Sequence, residues 1–275
     1  MTRFVVVPQW QGSAASRAMR LIDGAHAVAG DLPRAATTIV DVPLEAGEEL
    51  GTGVRRWGSL RRSIRAQLEA GRAPAGERTV SIGGDAGVAA TAARAAVTDT
   101  AHTGSERIVV VWFAAHPGLH DTSSAPGGAY ESMAARAVID DVVPQDLPGA
   151  DLPASQLILA GARAIDPHEL DVASRLGVAV QQDVDPDALG AAVVALAPSA
   201  VFVHVALDVL DPAVITGIPA PEPFGVDVAT LTRAIAAVGA AAPLVGGALT
   251  GFAPASPEAA VDDLGAILRI VGALA

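Results

Sequence analysis

The stretch Ile108-Val109-Val110-Val111-Trp112-Phe113-Ala114-Ala115-His116-Pro117-Gly118-Leu119-His120-Asp121 decides how the chain is read. It opens as an unbroken apolar run, the pattern of a strand covered on both faces and therefore central in a parallel sheet. Pro117 and Gly118 then stop the strand and begin a loop. Ligands of open parallel sheets collect just beyond the carboxyl ends of strands. His116 thus stands where chemistry is first sought, while Ala114 and Ala115 beside it carry no functional group.

Working outward, seven more short apolar runs read as strands: Phe4–Val7, Thr38–Val42, Thr79–Ile82, Leu157–Ala160, Val178–Gln181, Val201–Leu207 and Leu244–Leu249. Helical patterns lie between most of them, around Ser16–Ala29, Val54–Ala70, Gly87–Ala96, Met133–Ile139, His168–Leu176, Pro186–Leu196 and Val228–Val238, with a last helix from Pro257 to Leu274. Such alternation implies right-handed crossovers and an α/β fold of three layers, an eight-stranded, mostly parallel sheet between helices. No repeat, low-complexity tract or linker interrupts it, so residues 1–275 are read as one domain. Asp166-Pro167-His168-Glu169 spells a capping box, and Ser256-Pro257-Glu258 opens the last helix similarly.

Composition narrows the chemistry. The chain has no lysine, asparagine or cysteine, which excludes disulfides, thiolate metal sites, Schiff-base catalysis and a Walker-type phosphate loop. A net charge of −12 argues against a nucleic-acid surface. No apolar run approaches the roughly 20 residues of a membrane span. The first strand begins within a few residues of Met1, leaving no room for a signal peptide, so a cytoplasmic protein is expected.

Four loops, each after a strand, together resemble those of the arginase–agmatinase–formimidoylglutamase (ureohydrolase) family. They are Gly83-Gly84-Asp85, Trp112 through His116, Gly161–Glu169, and Val205–Pro212 with Thr216-Gly217-Ile218-Pro219. The resemblance spans nearly the whole chain and implies an arginase-like fold. It also implies a pair of manganese ions that generate a hydroxide, held by carboxylates and imidazoles. Assembly as trimers or hexamers is implied too.

The same resemblance marks what is missing. Ligand positions of the family fall on Ala86, Ala114, Gly118 and Ala206; only His116 and Asp208 keep a donor group. Glu131 stands where the family has a proton-shuttling histidine. Asp166 falls where relatives hold a substrate amino group, although the capping box already accounts for it. A buried Asp208 needs a partner, and His116 is its natural one. His120 and Asp121 are outside candidates for a rearranged metal site with His116, Asp208 and Glu131. His204 is read as a satisfied core residue, Asp85 as a turn residue binding nearby amides, Asp211-Pro212 as a loop former, and His26, His102 and His168 as surface residues. No catalytic residue and no cofactor is therefore expected: a pseudoenzyme with a binding or assembly role, as a homo-oligomer or with an active paralogue. The alternatives are a C–N hydrolase of a guanidino- or amidino-compound using Mn2+ at a reduced or relocated site, and a small-molecule sensor.

Overall fold

A computed structural model describes residues 1–72, 76–102, 107–139 and 152–275. Eight strands form one sheet: β1 (Thr2–Val6), β2 (Thr37–Ile39), β3 (Arg78–Ile82), β4 (Ile108–Phe113), β5 (Leu157–Ala160), β6 (Ala179–Gln181), β7 (Ala200–Ala206) and β8 (Leu244–Thr250). Their order is β2-β1-β3-β8-β7-β4-β5-β6, and every pairing is parallel. The helices are α1 (Arg20–Gly30), α2 (Trp57–Ala70), α3 (Ala86–His102), α4 (Arg136–Ile139), α5 (Pro167–Leu176), α6 (Pro186–Ala195), α7 (Val228–Ala241) and α8 (Pro257–Leu274).

β4 is buried at every residue, and its period of two splits the core into two layers. Val109, Val111 and Phe113 face α1, α6, α7 and α8, whereas Val110 and Trp112 face α2, α3, α4 and α5. With few aromatics in the chain, valine and alanine fill most of both layers. β4 lies between β7 and β5, its Phe113 level with Val205 of β7. Three residues beyond that level on each strand stand His116 and Asp208, so strand register alone brings them together.

The strands and most helices lie where the sequence pattern puts them, with two departures. The segment read as helix from Ser16 begins its α-helix at Arg20, after a run of turns. The segment read as one helix over Met133–Ile139 is instead a 3-10 turn, Tyr130–Met133, followed by the short α4.

Candidate functional site

The loops at the carboxyl edge of the sheet carry the charged groups. Asp208 accepts the backbone N–H of Ala115 at 3.0 Å and of His116 at 3.2 Å, and its Oδ2 lies 2.8 Å from His116 Nδ1. On the other side of the ring, Nε2 is 3.4 Å from Glu222 Oε1. The hydrogen bond to Asp208 and the charges of Asp208 and Glu222 raise the His116 pKa against partial burial. The pair anticipated from the sequence therefore forms, with Glu222 as a third member that the sequence pattern did not single out.

What holds Glu222 and Asp208 in place is Arg163, just past β5. Its guanidinium donates to the carbonyls of Asp208, Val209, Leu210, Glu222 and Pro223, besides that of Gly161. A rigid planar fork with five N–H donors suits such a cage of carbonyls, which an ammonium would not satisfy.

Glu131 adds its charge to those that raise the His116 pKa, but its hydrogen bonds go elsewhere. Its Oε1 accepts from Ala14 N and from Ser13 Oγ, fastening the loop after β1. Burial and the nearby Asp85 push its pKa up to about 7. Asp85 behaves as its turn position suggests, accepting from Gly12 N and Gly87 N at 2.9 Å and from Gln9 Nε2 at 3.0 Å. Burial still raises its pKa to about 6. Asp211 shapes its loop by accepting from Ala213 N and Gly225 N.

A second cluster lies nearby. Asp166 caps α5 through Glu169 N, with the reciprocal Glu169 contact to Asp166 N completing the capping box. Its Oδ2 also lies 3.1 Å from His120 Nε2, and Glu169 Oε1 accepts from Leu119 N at 2.8 Å. One donor atom each from His120, Asp166 and Glu169 all fall within 4.8 Å of one another. Asp121 stays out of this cluster: Ser123 and Ser124 donate to its Oδ1 and lower its pKa to about 2.

The remaining histidines divide. His204 is buried, with Nε2 2.8 Å from Thr250 Oγ1 and its ring 3.9 Å from that of Trp112, and burial lowers its pKa to about 3. Its Nδ1 has no partner among the described residues, so it is only half satisfied. His26 is exposed; His168 is exposed as well, but its ring stacks on His120 at 5.3 Å, an association the sequence reading missed. The side chain of His102 lies outside those described.

At the positions assigned to metal ligands, Ala86 begins α3 and Ala114 and Ala206 are buried small side chains. Gly118 has φ +77°, and a Cβ there would lie 2.5 Å from the Glu131 carbonyl oxygen. A pair of manganese ions does not fit this set. Only one imidazole and one carboxylate, His116 and Asp208, are left at those positions, too few to hold two divalent ions.

A parallel three-layer α/β/α sheet with histidine and acidic side chains on its carboxyl-edge loops is the architecture of the ureohydrolases. Residues 14–268 match the Arginase family. The chain belongs to that family. Among solved structures, it is similar to the arginase of Entamoeba histolytica in complex with L-ornithine, with TM-score 0.79 and 17% identity over 99% of this chain and 97% of that one. The native arginase of Bacillus caldovelox gives 0.76 and 17% over 98% of both chains. The proclavaminate amidino hydrolase of Streptomyces clavuligerus gives 0.69 and 18% over 99% of this chain and 89% of that one. No curated protein matches the sequence significantly.

Proposed function

We propose that this chain is a ureohydrolase-fold pseudoenzyme, a single domain over 1–275 that has given up dinuclear-manganese hydrolysis for a binding or assembly role. One observation carries the reading: of the six positions where the family resemblance puts metal ligands, only His116 and Asp208 keep a donor group, too few to hold two ions. Replacing the acidic ligands by Ala114, Gly118 and Ala206 avoids burying like charges without their metals. The reading includes a homo-oligomer, trimer or hexamer, or a pairing with an active paralogue. It also includes a cytoplasmic address, which suits an acidic chain without cysteine.

The test is metal analysis of protein purified in manganese, together with urea release from arginine and agmatine. No urea and no stoichiometric manganese are expected. Turnover, or manganese bound in a ratio that falls when Asp208 is replaced by Ala, overturns the proposal.

A further inference from the structure

We propose that His120, Asp166 and Glu169 bind one borderline divalent cation of the zinc class, at a site separate from the His116–Asp208 pair. His120 comes from the loop after β4, Asp166 caps α5 and Glu169 lies in its first turn, and their donor atoms converge within 4.8 Å. His120 and Glu169 are only 7% and 5% exposed, so packing fixes both donors in advance. An imidazole with two carboxylates suits zinc-like ions, whereas calcium or magnesium asks for more oxygens. The two carboxylate charges balance a divalent ion, and they outweigh the partial positive charge of the α5 amino end.

The groups behind the ligands set their direction. His120 Nδ1 lies 3.2 Å from Ser124 Oγ, which is 3.1 Å from both Asp121 N and Asp121 Oδ1. Ser124 has one proton to give, and the Asp121 carboxylate attracts it most strongly. The ring then donates through Nδ1, and Nε2 faces Asp166 Oδ2 at 3.1 Å. Two lone pairs at that distance repel unless a proton or a cation lies between them. Outer hydrogen bonds of this kind commonly orient metal-binding imidazoles and carboxylates, and Leu119 N does the same for Glu169. Three protein ligands leave a position open for water or for an oxygen of a small anionic ligand.

The test titrates chelator-treated, full-length protein with zinc chloride alone by calorimetry, and with cobalt(II) by visible absorption. One ion per chain is expected. His120→Gln and Asp166→Ser should each weaken binding at least about tenfold, the scale seen even for groups that only support a ligand. Asp166→Ser keeps a helix cap through its hydroxyl, so its loss of binding is not a loss of fold. His116→Gln should bind as the parent does, which separates this site from the one the proposed loss of function concerns. Absence of binding, binding unchanged in Asp166→Ser, or binding lost only in His116→Gln overturns the proposal.

Discussion

Gly118→Ala tests whether the segment following His116 has been rebuilt or only stripped of a ligand. Gly118 has φ +77°, where an L side chain costs about 1–2 kcal/mol. The added Cβ would also lie 2.5 Å from Glu131 O and 3.1 Å from Ala134 N. Both are backbone atoms, so the chain 131–134 itself must shift, and forcing extra atoms into packed surroundings costs typically about 1–3 kcal/mol. The sum is about 2–5 kcal/mol. Gly177 supplies the control: it ends α5 at the same φ of +77°, but a Cβ there meets nothing within 4 Å. Gly177→Ala should lose only the dihedral part. Urea denaturation of both variants, with unchanged m, reads the difference as a shift in midpoint. Equal shifts for the two would refute the steric argument. If it holds, Gly118→Asp is costlier still, and no single substitution can return a carboxylate to this position without moving 131–134.

Three further outcomes follow from the titrating and caging groups. The His116 pKa is raised in the folded state, so its contribution is fully present below its unfolded value near 6.5 and fades as pH rises through the folded value; His116→Gln should therefore destabilise at pH 5.5 more than at pH 8.5, by under about 1 kcal/mol because the ring is partly exposed. Glu131 binds its proton more tightly folded than unfolded between pH 4.5 and about 7, so stability falls with rising pH across that window; Glu131→Gln should flatten the slope, and an unchanged slope in pH-dependent denaturation counts against the assignment. Arg163→Lys should speed amide hydrogen exchange across 208–225, since an ammonium cannot serve the carbonyls that the guanidinium spans; exchange at the parental rate would count against that role.

How much of this was legible in the sequence depends on how local the signal is. The β4 run, the alternation of strand and helix, and the capping box at Asp166 are all written in neighbouring residues. The meeting of His116 with Asp208 was legible too, because each follows the end of a buried strand. Strand order was not, since nothing in an apolar run names its neighbour. Glu222 was missed because it sits among prolines in an irregular loop, and only the Arg163 cage carries it to His116. The Ser16 segment misled because its alanines fit a helical pattern while the chain there forms successive turns. His120 was singled out by its spacing from His116, yet its partners are Asp166 and Glu169, across a loop the spacing does not see.

The two outermost strands of the sheet, β2 and β6, have three residues each. An open sheet edge offers unpaired amides and carbonyls to any other extended chain, and longer edges invite aggregation. Here the long apolar strands β4, β7 and β8 are interior to the sheet. Among the described residues, copies of this chain have almost no ribbon to add to, which leaves helix and loop surfaces as the ground on which an assembly would be built.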